Sequence, residues 1–170
     1  MSRVITFSRT FPAYHPKAGQ PTYFVEKLWN SIYAGQDREV ALISHELGGI
    51  WSGWCEVRES EQPKHHTIRG GHRFKVGDKF SPRVWSGKPY NSKQIIIAPD
   101  IEVKKTFDFV IDILGGEYRM NGVAIHIETL KLISMNDGFS ELDDFELWFN
   151  VKRGEGFIGQ IICWNENVNY

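Results

Sequence analysis

The sequence predicts a single α+β domain built on a small mixed β-barrel or curled sheet, with helices at its flanks. Three observations lead to this prediction. The chain has 170 residues, the size of one ordinary domain. Five or six segments, most of them in the middle of the chain, have the composition of β-strands. Two segments, one toward each end, instead have apolar residues at helical spacing.

The N-terminal part is predicted to begin with a short strand and to continue into a helix. Residues 3–7 are rich in β-branched and aromatic side chains, which favours a strand. Residues 11–21 contain three prolines and a glycine, which predicts an irregular loop. A helix is predicted from Pro21 to about Gly35, because apolar residues recur there at helical spacing. Residues 38–58 fit either a second helix or a segment broken by glycines.

Strand patterns dominate the middle of the chain. The segments predicted as strands are 66–69, 79–85, 94–98 and 106–114. Polar and apolar residues alternate in the last of these, so we expect one of its faces to be buried. A further strand is predicted over 123–129, because the preceding Asn121-Gly122 is a typical two-residue hairpin turn.

The C-terminal part combines a turn, a helix and a strand. Asn136-Asp137-Gly138 has the composition of a turn. Ser140 is predicted to cap a helix over 140–149, whose acidic first turn complements the helix dipole. A closing strand is predicted over 156–164.

The basic residues are concentrated in one segment. Residues 64–93 carry eight lysines and arginines against Asp78 alone, a net charge of +7, whereas the whole chain has a net charge of −1. Aromatic side chains are spaced through the same segment. Cations that neutralise phosphates, together with rings on which bases stack, are typical of single-stranded RNA or nucleotide binding. The candidate ligand-binding residues are His66, Arg69, Arg73, Lys75, Arg83, Trp85, Lys88 and Tyr90.

Two motifs follow each other in this segment. Lys64-His65-His66-Thr67-Ile68-Arg69 is followed by Lys75-Val76-Gly77-Asp78. In this order they resemble the Lys-x-x-Thr-Ile-Arg strand and the Lys-x-Gly-Asp turn of the ASCH domain, a branch of the PUA-like superfamily. The resemblance implies a PUA-like β-barrel over residues 62–164. Residues 1–61 would then be an N-terminal extension packed on it, within one domain of residues 1–170.

The resemblance also implies a function, a basic cleft that binds RNA or a modified nucleoside. One bacterial branch is similar to small amidohydrolases that remove the acetyl group from N4-acetylcytidine with a lysine, a threonine and a glutamate. Carried over to this chain, the catalytic set is Lys64, Thr67 and Asp137, with an aspartate where that branch has a glutamate. A lysine desolvated among cations has a lowered pKa and can act as a base toward water or the threonine hydroxyl. Asp137 would shuttle the proton to the leaving amine while Arg69 or a backbone N–H holds the oxyanion.

The sequence leaves three functions open. The first is RNA or nucleoside binding through a basic, aromatic-lined cleft, to which Tyr14, His15 and Lys17 of the first loop could also contribute. The second is the amidohydrolase activity. The third is a protein-interaction module whose surface is the acidic helix over 140–149. The basic segment also has a structural interpretation, a solvated face balanced by the acidic C-terminal half.

Other features narrow the class of protein. The longest apolar runs are far shorter than the roughly 20 residues of a membrane span, and the N-terminus has no signal-peptide pattern, so we expect a cytoplasmic protein with no membrane contact. The two cysteines, Cys55 and Cys163, lack the spacing of a zinc site. His65 and His66 would point to opposite faces of a strand. We therefore expect neither a metal nor a cofactor.

Overall fold

The computed structural model describes residues 3–33, 62–112, 116–149 and 155–170, which form nine strands and three helices. The interpretation of residues 38–58 lies outside the described residues. In chain order the elements are β1 (Arg3–Thr6), α1 (Phe24–Ile32), β2 (His66–Gly70), β3 (Lys79–Trp85), β4 (Gln94–Ile96), β5 (Ile101–Glu102), β6 (Lys105–Asp112), β7 (Glu117–Met120), β8 (Val123–Ala124), α2 (Ile127–Asn136), α3 (Leu142–Trp148) and β9 (Phe157–Cys163).

The smaller sheet is organised around β3. Strand β1 runs parallel to β3, with Arg3 opposite Phe80, while β4 and β5 pair with β3 in antiparallel fashion. The parallel pairing brings the end of β1 beside the end of β3. The loops that follow these two strands, residues 7–11 and 86–93, therefore leave the sheet at the same end.

The larger sheet is antiparallel, in the order β2-β9-β6-β7-β8. Its centre is the long pairing of β6 with β9, which extends from Lys105 opposite Cys163 to Ile111 opposite Phe157. Strand β2 lies at the edge of this sheet, so one side of it is left for contacts with other elements. This edge position matters for the site, because β2 carries the first of the two sequence motifs.

The α+β class predicted from the sequence is confirmed. In the described ranges no strand pairing joins the two sheets, so closure into a PUA-like barrel stays a prediction. Aromatic side chains fill the space between the sheets: the ring of Trp164, just after β9, lies 5.8 Å from that of Phe80 on β3. Among the helices described here, none has the length and apolar character needed to span a bilayer.

Helix α1 begins at Phe24, three residues later than predicted. The backbone of Tyr23 is in the left-handed region, with φ of 56°, and the hydroxyl of Thr22 accepts a hydrogen bond from the N–H of Phe24. The helix therefore starts after this bend and not at the proline. Its fully buried Trp29 donates a hydrogen bond to the carbonyl of Ile97 at 2.8 Å, which fixes α1 against the smaller sheet.

The strand predicted over 123–129 is wrong in most of its length. The hairpin turn is formed as predicted, with Asn121 and Gly122 both at positive φ, but β8 contains only two residues. Helix α2 begins at Ile127. The hairpin turn suggested a strand here, whereas the helical spacing of Leu130 and Ile133, both buried, determines the fold.

The C-terminal elements differ from the prediction in smaller ways. Asn136-Asp137-Gly138 is the C-terminal end of α2, with Asp137 at the cap and Gly138 in the left-handed conformation that commonly ends helices. The N-cap of α3 is Glu141, not Ser140, and no side chain caps this helix. The closing strand is confirmed as β9, Phe157–Cys163.

Candidate active site

A pocket of about 260 Å³ opens where the two sheets and the helices meet. This volume is slightly below the range typical of sites for drug-sized ligands, so it suits one small ligand. Its lining comes from the end of β1 and the residues after it (6–10), from β2 and the residue range just before it, and from the end of β3 with its following loop. Helix α1 contributes Phe24, and the ends of α2 and α3 contribute Asp137 and Trp148. Six residues predicted from the sequence line it together: Lys64, Thr67, Arg69, Trp85, Tyr90 and Asp137.

The centre of the site is a buried ion pair. The Nζ of Lys64 lies 2.5 Å from the Oδ1 of Asp137 and also donates a hydrogen bond to the backbone carbonyl of Asp137. Only 2% of the surface of Lys64 and 4% of that of Asp137 is exposed. The ring of Phe24, on α1, lies 4.5 Å from the same Nζ and covers the ammonium on another side.

Two segments far apart in sequence position this pair. Lys64 precedes β2, and Asp137 caps the end of α2, where its backbone N–H donates to the carbonyl of Ile133 at 2.9 Å. The backbone N–H of His65 donates to the carbonyl of Asn136 at 2.8 Å. The start of β2 is therefore fastened directly to the end of α2.

Burial brings proton transfer within reach of the pair. It lowers the pKa of Lys64 to about 8, an effect that the charges of Arg69 and Lys27 increase and that of Asp137 opposes. Burial also raises the pKa of Asp137, against the effect of Lys64. Both changes favour the neutral forms. A lysine with a pKa near 8 is partly neutral at mildly alkaline pH and can then accept a proton.

Thr67 lines the pocket next to this pair, but the two are not hydrogen-bonded. Among the described residues the Thr67 hydroxyl has no hydrogen-bond partner, so it is not bonded to the Lys64 amine that could act on it as a base. The lysine instead donates to Asp137. The hydroxyl is therefore left to interact with a ligand.

Arg69 connects the site to the other sheet. Its Nη2 donates a hydrogen bond to the carbonyl of Thr6, the last residue of β1, at 2.6 Å. Burial lowers the pKa of Arg69 from its very high ordinary value, and the guanidinium carbon lies 6.0 Å from the centre of the Phe7 ring. Since the guanidinium has five N–H donors, this bond leaves others for an anion in the pocket.

Two aromatic rings form the exposed end of the pocket. The rings of Trp85 and Tyr90 lie 5.3 Å apart, and 87% of Tyr90 is exposed. The hydroxyl of Ser92 holds the loop between them, because it accepts from the N–H of Gly87 and donates to the carbonyl of Lys88. The stacking of a base on these two rings stays a prediction.

Five predicted ligand-binding residues do not line the pocket: His66, Arg73, Lys75, Arg83 and Lys88. Arg73, Lys75 and Lys88 are exposed on the surface, and Arg83 is hydrogen-bonded to Ser81. His66 is fully buried behind the ion pair, with its Nδ1 3.7 Å from Asp137, and burial lowers its pKa well below the ordinary value. The pocket therefore uses only part of the basic segment.

The loop residues Tyr14, His15 and Lys17 do not line the pocket either. The Tyr14 hydroxyl donates to the carbonyl of Trp148, and the Nζ of Lys17 lies 2.6 Å from a carboxylate oxygen of Asp144. These contacts hold the loop against α3. They also engage part of the acidic surface that the protein-interaction hypothesis requires, and that hypothesis stays a prediction.

Sequence reasoning missed the contribution of the N-terminal segment to the site. Residues 6–10 and Phe24 line the pocket, and Lys27 is buried beside it. The run Thr6-Phe7-Ser8-Arg9-Thr10, with three hydroxyl groups and an arginine directly after a strand, was the one available signal. Nothing in the helical pattern of α1 distinguishes Lys27 from a surface lysine.

Comparisons of the chain with protein-family models, with curated proteins and with solved structures found no match. The resemblance to the ASCH domain therefore depends on the two short motifs in residues 64–78. What the chain does has to be inferred from the residues of the pocket and their contacts.

Proposed function

We propose that the pocket binds a nucleoside, either free or as an unpaired nucleotide of RNA. The observation that supports this most directly is the difference between the two ends of the pocket. Trp85 and Tyr90 present rings at the exposed end, and Lys64, Thr67 and Asp137 present polar groups at the buried end. A nucleobase has a flat face that stacks on rings and an edge that forms hydrogen bonds, so one base can satisfy both ends.

The proposal includes an ASCH-type, PUA-like arrangement of the two sheets. The support for this arrangement is that the first motif forms a strand and the second forms a turn, as the resemblance implies. The Lys-x-x-Thr-Ile-Arg residues enter and form β2, beside the pocket. In the Lys-x-Gly-Asp turn, the Asp78 carboxylate accepts from the N–H of Lys75 at 2.9 Å, and Gly77 has a φ of 87°.

Titration calorimetry with cytidine, N4-acetylcytidine and the other nucleosides tests binding. Tyr90→Ala should weaken nucleoside binding by about 5- to 100-fold, because the stacking of one base is worth roughly 1–3 kcal/mol. Lys88→Ala is a matched control in the same loop: its side chain is exposed and does not line the pocket, so affinity for a nucleoside without phosphates should not change. The proposal fails if no nucleoside binds, or if Tyr90→Ala binds as tightly as the unmodified protein.

A second function is favoured by the buried ion pair, namely hydrolysis of an N-acyl group on a cytidine-like nucleoside. Neutral Lys64 would take a proton from a water molecule, whose oxygen then attacks the acyl carbonyl. The N–H groups of Arg69 would stabilise the oxyanion. Lys64 would pass this proton to Asp137, which would transfer it to the departing amine as the C–N bond breaks. The products are the free amino nucleoside and a carboxylic acid, which ionises to a carboxylate by releasing its proton to solvent, so one water is consumed for each bond broken.

Replacing the base tests this second function. Lys64→Arg keeps the positive charge but removes the accessible neutral form, so release of cytidine from N4-acetylcytidine should fall to the uncatalysed rate while nucleoside binding persists. In the unmodified protein, turnover should rise with pH through about 8, because only the neutral amine accepts a proton. An active Lys64→Arg variant, or a rate that falls over this pH range, would contradict the mechanism. Thr67→Val, which removes a hydroxyl without changing charge, measures whether the hydroxyl takes part.

A further inference from the structure

One residue outside the pocket contacts both segments that carry the ion pair, one through its side chain and the other through its backbone. Lys27 lies in the middle of α1 and only 4% of its surface is exposed. Its Nζ donates a hydrogen bond to the carbonyl of Gly138 at 2.7 Å. Its backbone carbonyl accepts a hydrogen bond from the N–H of Lys64 at 2.9 Å. Lys27 is thus bonded to Lys64 itself and to the residue that follows Asp137.

The packing at this point leaves little room for movement. Gly138 has a φ of 92°, and a Cβ built on it would lie 3.2 Å from the ring of Phe24 and 3.5 Å from the Cδ of Lys27. The end of α2 therefore lies directly on the surface of α1. A small shift of α1 would move the backbone that carries Asp137 relative to Lys64.

A purely structural side chain at this position would not need a charge. A buried ammonium loses its hydration, whereas an apolar side chain of the same length fills the space without that cost. The ammonium of Lys27 has a direct effect on its neighbour, because like charges disfavour the protonated form of Lys64. Within the described part of the chain, the other charged or titratable groups that face Lys64 are Asp137, Arg69 and His66.

We propose that Lys27 is a positioning residue of this site, which holds Lys64 and Asp137 at their mutual distance and adds a second buried positive charge beside them. The inference rests on the proposed function, because the alignment of the pair matters to activity only if the pair acts on a ligand. This role would make α1 part of the site, although α1 lies in residues 1–61, which the resemblance implied to be an extension packed on the core.

Titration of the Lys64 amine measures the effect without any ligand. The protein is labelled with ¹⁵N and ¹³C in its lysines, and the Lys64 signal is identified by its loss in Lys64→Arg. In Lys27→Met, we expect the pKa of Lys64 to rise above about 8, because a neighbouring positive charge that lowers it is lost. Lys27→Arg keeps charge and donor, and should leave the titration near its original position.

A second lysine gives the matched control. Lys131→Met removes the same charge from an exposed position on α2, where Lys131 is paired with Glu128, and should leave the Lys64 titration unchanged. If Lys27→Met does not fold, Lys27→Gln replaces it, since it removes the charge and retains a donor. A folded neutral variant with an unchanged Lys64 titration would overturn the proposal, as would failure of both neutral variants to fold while Lys27→Arg folds.

The readout also separates this inference from the proposed function. If nucleosides neither bind nor react, the proposed function fails, whereas the Lys64 titration still reports the coupling to Lys27. If N4-acetylcytidine is hydrolysed, the pH at which turnover rises should move upward in Lys27→Met together with the titration of Lys64. If the maximal turnover rate falls in Lys27→Met while the pH at which turnover rises stays the same, Lys27 has only a structural role.

Discussion

At the scale of single residues, the buried pair of Lys64 and Asp137 is the least ordinary feature of the molecule. Two charged groups taken out of water lose more hydration energy than their attraction usually returns, so such a pair is weak evidence for a stabilising role. Titratable groups with strongly shifted pKa values are concentrated at functional sites. The pair lines an open pocket and is not sealed in the core, which is the reason for assigning it chemistry.

Removing one partner should show how strongly the pair is coupled. Asp137→Asn leaves the Lys64 ammonium buried without its carboxylate, so we expect the free energy of unfolding at pH 7 to fall by about 3 kcal/mol in urea denaturation. Adding Lys64→Met should recover most of this loss, because no unpaired charge then remains. Losses that simply add in the double variant would show that the two side chains are not coupled.

The free energy of unfolding of Asp137→Asn should also depend on pH in a characteristic way. Without the carboxylate, the pKa of Lys64 in folded Asp137→Asn should lie below about 8, its value beside Asp137. An unfolded lysine has a pKa of about 10.4, so the unfolded state binds more protons over this interval. The stability of Asp137→Asn should therefore increase as the pH is raised from 7 to 10. A decrease in this range would contradict the assignment.

Residues of the site could be predicted from the sequence where they belong to a recognisable motif. Lys64, Thr67 and Asp137 were found through the resemblance, and Trp85 and Tyr90 through the alternation of rings and cations. Lys27 could not be found, because its burial depends on α1 lying across the end of α2, a contact between segments about 110 residues apart.

At the scale of elements, the position of β2 depends on a close approach to β9. A Cβ built on Gly159 would overlap the backbone carbonyl of Arg69 and lie 2.8 Å from the ring of Phe157. Glycine is therefore the residue that allows these strands to pair in the observed register, with Arg69 opposite Gln160. This pairing in turn sets where the Arg69 side chain enters the pocket.

Gly159→Ala should displace β2 and weaken the site with it. We expect a loss of about 2 kcal/mol in unfolding free energy, the usual cost of forcing an extra methyl group into a packed region, together with weaker nucleoside binding. Gly70→Ala is the matched control on the paired strand, because its Cβ would meet only the Phe157 ring at 3.9 Å. Equal effects of the two substitutions, measured by urea denaturation and calorimetry, would exclude the close contact as the cause.

A long strand in the middle of the chain was predictable, and the short segment after the hairpin was not. Strand β3, Lys79–Trp85, was predicted with its observed bounds. Its own residues favour an extended conformation, and the strands that pair with it stabilise the same conformation. The hairpin turn at Asn121-Gly122 suggested a strand over 123–129, but helix α2 begins three residues after the end of β8. That choice depends on burial of Leu130 and Ile133 in the core, which a local pattern does not contain.

At the scale of the whole molecule, the pocket belongs to both halves of the chain. Residues 6–10 and Phe24 form one side of it, and residues from β2, the loop after β3 and α2 form the other. The motifs implied an N-terminal extension and a core, and residues of both line the pocket. The basic segment is divided as well, since Lys64 and Arg69 are inside the pocket whereas Arg73, Lys75 and Lys88 lie exposed outside it.

This division predicts different salt dependences for the two kinds of ligand. A free nucleoside carries no phosphate, so its affinity should change little with salt, whereas affinity for a short single-stranded RNA should fall steeply as counterions are released. Replacing Arg73, Lys75 and Lys88 together by glutamine should reduce the slope of log affinity against log salt by roughly 2, since each phosphate contact on single strands contributes about 0.7. Nucleoside binding should stay intact in this variant, because the three side chains do not line the pocket. An unchanged slope would show that RNA does not cross this surface, and a lost nucleoside affinity would show that the pocket and the basic surface are one site.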